Sequence, residues 1–237
     1  MKVLLDLHVH SNASYDCILK PSIIAKQVKK MGLDGFALTD HDTLRNIDEA
    51  AFYAKKYNLI FIPGIEKKTN KEDILALFVR ENINLYKFDD VINEIRLKRG
   101  IAILPHPFKS HKNLTKRNWE KLDAIEVLNG RCSDTMNMKS EVMSNEMVKV
   151  GGSDAHTWWE VGTVFTELFL EDGQQSFLEL IKEAIKNGHT SARRKKKFNY
   201  QQYLWTIRYS RMIKAVKEGH LAERSIDLGK RIFCQKR

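Results

Sequence analysis

Seven short apolar runs alternating with helix-patterned segments are the feature that most restricts how this chain can fold. The β-like runs fall at residues 2–8, 35–39, 59–63, 73–79, 101–104, 124–128 and 148–151. Amphipathic periodicity fills 21–31, 43–57, 88–99, 115–121 and 137–147, and a further β-like run at 163–170 precedes a helix ending near Gly188. Pro21 opens the first helical segment and Gly32 follows it, the usual punctuation of a helix start and stop. Alternation of this kind signals βα units, and seven strands suggest a (β/α) barrel one strand short of eight. In such barrels the chemistry sits at the C-terminal ends of the strands, so polar residues should gather just after the runs.

They do. The first run reads Val3-Leu4-Leu5-Asp6-Leu7-His8-Val9-His10, and side chains two apart share a face of a strand. Strict alternation puts Asp6, His8 and His10 on one face and Val3, Leu5, Leu7 and Val9 on the other, under the helices. Later ends supply Asp40-His41-Asp42, Pro63-Gly64-Ile65-Glu66, Pro105-His106-Pro107 and Ser153-Asp154-Ala155-His156. Five strand ends each offering His, Asp or Glu are costly to bury unless something compensates them. Divalent cations would do so. Mixed imidazole and carboxylate donors suit Zn, Mn or Fe(II) better than Mg or Ca, which prefer oxygen shells. There is no GxSxG or P-loop pattern, which disfavours serine hydrolases and NTPases.

The ordered set DLHVHS, TDHDT, PGIE, HP and GSDAH, spanning roughly residues 4 to 156, resembles the PHP (polymerase and histidinol phosphatase) family of metal-dependent phosphoesterases. The resemblance implies a distorted (β/α)7 TIM-like barrel holding two or three divalent metals. By motif, His8, His10, Glu66 and Asp154 would hold one metal. Glu66 would bridge to a second that also takes His106, and Asp16, His41 and His156 would hold a third. The fourth run offers Asp73 where many phosphatase-like members place a His, a change that adds negative charge and favours harder ions. Glu66, His106 and Asp154 are the expected catalytic residues, in a mechanism where a metal-bridging hydroxide attacks phosphorus. Asp6, Asp40 and Asp42 are candidates for orienting imidazoles. His111 and Arg131 follow strand ends where a substrate phosphate could reach them.

Composition sets the remaining bounds. The 237 residues are 43% hydrophobic, with 12 Gly and 4 Pro, which fits one large domain with an appendage and excludes disordered or fibrous classes. No stretch approaches the roughly 20 apolar residues of a membrane span, and the N-terminus meets acidic and His residues too early for a signal peptide. A cytoplasmic protein without a membrane partner is the expectation. Cys17, Cys132 and Cys234 are too far apart for a CxxC site and odd in number, so they read as reduced thiols. The formal charge of +10 is concentrated in residues 193–237, which hold 14 Lys and Arg against three acids, leaving 26 against 27 elsewhere.

The expected division is therefore a phosphoesterase barrel at 1–192 and a basic helical extension at 193–237. In the extension, Trp205, Tyr209, Met212 and Val216 form an apolar stripe that would dock the helix on the barrel. The Arg193-Arg194-Lys195-Lys196-Lys197 run beside aromatic residues also suits nucleic acid. A phosphorylated small molecule, a nucleotide or a 5′-phosphorylated oligonucleotide end is the expected substrate. A nucleic-acid-binding or scaffold protein with a structural metal site, and an amidohydrolase-type C–N hydrolase, are the competing readings. His189 and His220 lie outside the matched region and read as ordinary.

Overall fold

The chain forms β1 (Lys2–Val9), α1 (Pro21–Lys30), β2 (Gly35–Leu38), α2 (Ile47–Lys56), β3 (Ile60–Lys67), β4 (Ile74–Leu77) and α3 (Phe88–Leu97), then β5 (Ile101–Leu104), α4 (Lys116–Trp119) and β6 (Ala124–Asn129). It continues through α5 (Asp134–Met143), β7 (Lys149–Gly152), β8 (Val164–Phe169), α6 (Phe177–Lys186), β9 (Thr190–Arg194) and α7 (Tyr200–Lys217). This computed structural model describes residues 1–109, 114–144, 146–195 and 200–218, so His111, His220 and Cys234 lie outside the described residues. Among the described residues no helix is long and apolar enough to cross a membrane.

The nine strands follow the order β7-β6-β5-β4-β3-β2-β1-β8-β9. Hydrogen bonds from Gly151 N to Thr166 Oγ1 (2.9 Å) and from Thr190 Oγ1 to Lys149 O (2.8 Å) bring β7 against β8 and β9 and nearly close the barrel. The pairs β1–β2, β2–β3, β5–β6 and β6–β7, each joined through a helix, run parallel. No helix separates β3 from β4, and that pair is antiparallel, as is β4 with β5. A parallel partner needs a crossover of a dozen or so residues, which the short link between β3 and β4 cannot make. Reversal brings the N-terminal end of β4, with Asp73 just before it, to the same end of the barrel as the C-terminal ends of β3 and β5.

One apolar cluster draws on all eight barrel strands: Val3, Leu5, Leu7, Ala37, Ile62, Leu75, Leu77, Ile101, Ile103, Ala124, Val150 and Leu168 are all buried in it, with Ile181 and Ile185 of α6. Two outer clusters lie under the helices, one joining Ile24, Val28 and Ala50 to Phe36 and Leu38, the other Val91, Ile92 and Ile95 to Ala102 and Leu104. The placement of Val3, Leu5 and Leu7 inside the barrel corrects the strict alternation expected for β1. Between Asp6 and Val9 the strand gains one residue against β2, a bulge that reverses its facing. Val9 therefore packs outward in the helix-facing cluster, and Asp6 does not share a face with the two histidines.

Two further expectations change at the C-terminal end. The division at 192/193 falls inside β9, whose Arg193 and Arg194 pair with Phe165 and Val164 of β8, so the start of the basic run is part of the sheet. On α7 the expected stripe docks only in part: Tyr209 and Met212 are half-buried, whereas Trp205 and Val216 are 38% and 54% exposed. Thr206 and Ser210 are buried instead. Lys217 donates to the carbonyls of Asn12 (3.1 Å), Ser14 (2.6 Å) and Cys17 (2.8 Å), and Trp205 touches Trp159 with ring centroids 5.6 Å apart. Polar anchoring thus adds to a reduced apolar seam.

Candidate metal centre

The bulge in β1 turns both His8 and His10 toward the C-terminal mouth of the barrel, where both are fully buried. Asp6 bonds backbone instead of imidazole: it accepts from Ser153 N (2.9 Å) and Gly162 N (2.8 Å), clamping the β7 end and the turn after it to β1. Burial pushes its carboxyl up to about 6, against the lowering effect of those bonds. Asp42, the third expected orienter, points away to Lys67 Nζ at 2.5 Å. Asp40 does serve the site. It accepts from Ser11 Oγ (2.5 Å) and Ser14 Oγ (2.6 Å), and the Ser14 hydroxyl then faces His10 Nδ1 at 3.1 Å.

These contacts fix which nitrogen carries a proton. With the Ser14 hydrogen given to Asp40, its oxygen accepts from His10 Nδ1–H. Glu126, a carboxylate 3.2 Å from His8 Nδ1, accepts from that nitrogen in the same way. Both Nε2 atoms are then left with lone pairs, and they face one another at 3.0 Å. Two lone pairs so close in a buried site repel unless a cation or shared proton sits between them.

Glu66 supplies the counterpart from the end of β3. Its Oε2 lies 3.2 Å from His10 Nε2, 3.5 Å from His8 Nε2 and 3.0 Å from His41 Nδ1, while its Oε1 lies 3.1 Å from His106 Nε2. Asp154 Oδ1 stands 3.7 Å from His8 Nε2 and 3.5 Å from His10 Nε2. Asp16 Oδ2 is 3.1 Å from His156 Nε2, with Oδ1 3.6 Å from His41 Nε2. Three overlapping trios have metal-ligand proximity: His8 with His10 and Asp154, His8 with Glu66 and His106, and His10 with His41 and His156. Asp73 lines the same cavity without entering a trio. The buried oxygens Oδ1 of Asp16 and Oε2 of Glu66 and the nitrogen Nδ1 of His106 have no hydrogen-bond partner among the described residues. Donors of this type, aimed inward and unsatisfied, fit divalent cations.

Electrostatics agree. Burial alone would raise Glu66 and Asp154, yet His41 beside the first and Lys109 beside the second hold both well below the usual carboxylate range. Burial, together with the charge of Arg131, lowers His156 to about 3, keeping it the neutral imidazole that ligation requires. His106 and Asp154 also adopt left-handed backbone, φ 31° and 53°, a conformation uncommon for non-glycine residues that Asp42, Asn58, Phe78 and Arg99 share.

Three residues that the sequence reading missed or undervalued complete the picture. Glu126 is buried on β6 and accepts from His106 N (3.0 Å) and Asn129 Nδ2 (2.8 Å) besides holding His8. Lys109 Nζ lies 2.5 Å from Asp154 Oδ2 at the cavity wall. Arg131 is buried, not a loose surface side chain, and its guanidinium reaches His156 Nδ1 at 2.7 Å. Replacing Glu126 with glutamine should weaken metal binding about 10–100-fold by loosening His8, the usual penalty for losing a ligand's hydrogen-bond partner. Calorimetric titration of metal-stripped protein reads this directly, and unchanged affinity would remove Glu126 from the site.

A nearly closed barrel with a buried His and carboxylate cluster at its C-terminal mouth is the architecture of a metal-dependent hydrolase. The chain belongs to the PHP family: the PHP domain model matches residues 6–137 and the PHP-associated model residues 139–190. An uncharacterised protein of Methanocaldococcus jannaschii is 31% identical over 207 residues, covering 77% of this chain and 79% of that one. A 5′-3′ exoribonuclease of Haemophilus influenzae is 43% identical over 67 residues, which is 28% of this chain and 24% of the enzyme. Among solved structures, a two-domain protein from Bacteroides vulgatus, described as containing a predicted PHP-like metal-dependent phosphoesterase, superposes with TM-score 0.68 at 20% identity. That match covers 89% of this chain and 70% of the other, and it establishes likeness of fold.

Proposed function

We propose that the protein hydrolyses a phosphate ester, on a nucleotide, a small phosphorylated metabolite or the 5′-phosphorylated end of an oligonucleotide, with two or three divalent metals held by His8, His10, Asp16, His41, Glu66, Asp73, His106, Asp154 and His156. The observation that carries this reading is the position of Glu66, one carboxylate oxygen facing His8, His10 and His41 and the other facing His106. A carboxylate so placed can join two ligand sets. Mixed nitrogen and oxygen donors favour Mn, Zn or Fe(II). Such cations, when bound, supply an activated water and Lewis-acid stabilisation of phosphoryl charge.

The remaining work falls to the chain. Asp40 through Ser14, and Glu126, hold the two imidazoles of β1 in register. Lys109 and Arg131 line the cavity beside Asp154 and His156 and place positive charge where phosphoryl oxygens would sit. Among the described residues the two thiols are not activated as nucleophiles: burial drives Cys132 up to about 12 and raises Cys17 also. The partial match to an exoribonuclease supports the nucleotide versions of the substrate.

Metal-stripped protein supplied separately with Mn, Zn, Fe(II) and Mg tests the proposal by phosphate release from nucleoside monophosphates, histidinol phosphate and a 5′-phosphorylated oligonucleotide. Release that depends on added metal is expected. Silence across the panel, with metal binding demonstrated, would overturn the reading.

A further inference from the structure

The ligand cluster is not braced evenly. The side chains of His8, Glu66 and Asp154 are 0%, 2% and 2% exposed, and the barrel holds His8 through Glu126 of β6 and Asp154 through Lys109. Asp16 and His41 stand at the rim, 15% and 18% exposed. Asp16 lies in the loop after β1, where the main chain of Tyr15 and Asp16 makes no backbone–backbone hydrogen bond among the described residues. The barrel alone gives this carboxylate little support.

We propose that α7 is the positioning element for the outer ligand set of Asp16, His41 and His156. With the helix docked the set is held for one cation, and with it undocked that cation is lost while the inner ligands still bind. The inference rests on the metal centre of the proposed function and is independent of which phosphate ester is cleaved.

Each member of the set stands close behind a residue that α7 grips. Lys217 donates to the carbonyls of Ser14 (2.6 Å) and Cys17 (2.8 Å), which flank Asp16 in the chain. Lys214 places its ammonium 4.8 Å from the centroid of the Tyr15 ring, and that ring stacks on His41 at 4.7 Å with an interplanar angle of 15°. Arg131 Nη2 donates to Ser210 Oγ (3.3 Å), while its Nη1 lies 2.7 Å from His156 Nδ1. The three anchors, at 210, 214 and 217, follow a spacing of four and three and so share one face of the helix. A site of this kind needs its donors held to within about 0.5 Å of the productive geometry. Withdrawal of that single face would free the Asp16 loop, the Tyr15 ring and the Arg131 side chain together. None of the anchors touches His8, Glu66, His106 or Asp154, so the inner ligands keep their supports. Linkage makes the effect reciprocal: a cation in the outer set strengthens the docking of α7 by the factor by which docking strengthens its binding.

Titration of the metal-stripped full chain with Mn(II) tests this, with bound equivalents resolved by calorimetry and free ion followed by electron paramagnetic resonance. Lys217→Met keeps the stem of the side chain and removes its three hydrogen bonds. It should weaken one equivalent about tenfold or more and leave the others little changed. Tyr15→Leu should weaken the same equivalent, whereas Tyr15→Phe, which keeps the ring against His41, should bind as the parent does. Arg208→Gln removes a charge from an exposed position of the same helix and should have no effect. In Asp16→Asn, where the outer set has already lost a ligand charge, adding Lys217→Met should change nothing further. Hydrogen exchange reads the reciprocal effect: Mn(II) should slow exchange of the α7 amides in the parent and not in Asp16→Asn. Equal affinities in the parent and Lys217→Met, or a loss spread over every equivalent, would overturn the role of α7 and leave the metal centre standing. A parent that binds no Mn(II) would instead overturn the metal centre, and the inference with it.

Discussion

Replacing Glu66 by glutamine should lower metal-dependent phosphate release about 10³-fold or more, equivalent to about 4 kcal/mol of transition-state stabilisation. The amide keeps the shape of the carboxylate and loses its charge. Four imidazole nitrogens now lie within 3.0 to 3.5 Å of the two Glu66 oxygens, and a neutral side chain can no longer join the sets on either side. Metal stoichiometry should fall with the rate, while far-ultraviolet circular dichroism remains that of the parent. A folded Glu66→Gln protein retaining activity within tenfold of the parent would exclude Glu66 from the chemistry and with it the two-set arrangement proposed here.

The second large effect is expected at a residue without a side chain. Gly152 ends β7 directly behind His8: a Cβ built there would stand 2.5 Å from His8 Cβ, 2.6 Å from Glu126 Oε1 and 3.0 Å from His8 N. None of these neighbours can yield cheaply, because His8 and its backbone belong to the central strand and Glu126 is held by His106 N and Asn129. Gly152→Ala should cost about 1–3 kcal/mol by overpacking. For a chain of this size that lowers the thermal midpoint by roughly 2–12 °C. Metal affinity should drop as well, since the strain falls on a ligand and its hydrogen-bond partner together. A thermal melt matching the parent, with affinity unchanged, would mean that β1 and β7 can part without disturbing the centre.

Particular residues show what the sequence could and could not reveal about this arrangement. The strand ends that carry His8, His10, His41, Glu66, His106, Asp154 and His156 were legible because polar residues at the close of short apolar runs are conspicuous. The facing of β1 was not, since alternation assumes an unbroken ladder and a bulge leaves no mark in a run of Val, Leu and Asp. That is why Asp6 looked like an imidazole partner and turned out to bind backbone. Glu126 was hidden for a related reason: it lies within the run Ala-Ile-Glu-Val-Leu, where a lone carboxylate reads as the solvent side of a strand. Only the barrel brings it to His8, 118 residues away. β9 was missed because Thr190–Arg194 is short and basic, and its pairing with β8 is a tertiary fact. On α7 the aromatic stripe suggested burial, whereas the hydrogen bonds of Ser210 and Lys217 set the docked face.

The three bonds of Lys217 have a consequence in polymer terms. They tie the loop that carries Tyr15 and Asp16 to a point 200 residues along the chain, as measured to Cys17. The entropy of closing a flexible loop grows only logarithmically, about 0.6 kcal/mol for each doubling, so a tie from that distance costs roughly 2 kcal/mol more than one from 25 residues away. The folded barrel between the two points reduces even that difference. The stiffness of the mouth is therefore set by an element that contributes nothing to the inner core, and substitutions along α7 can tighten or relax the entrance while every strand beneath it stays the same.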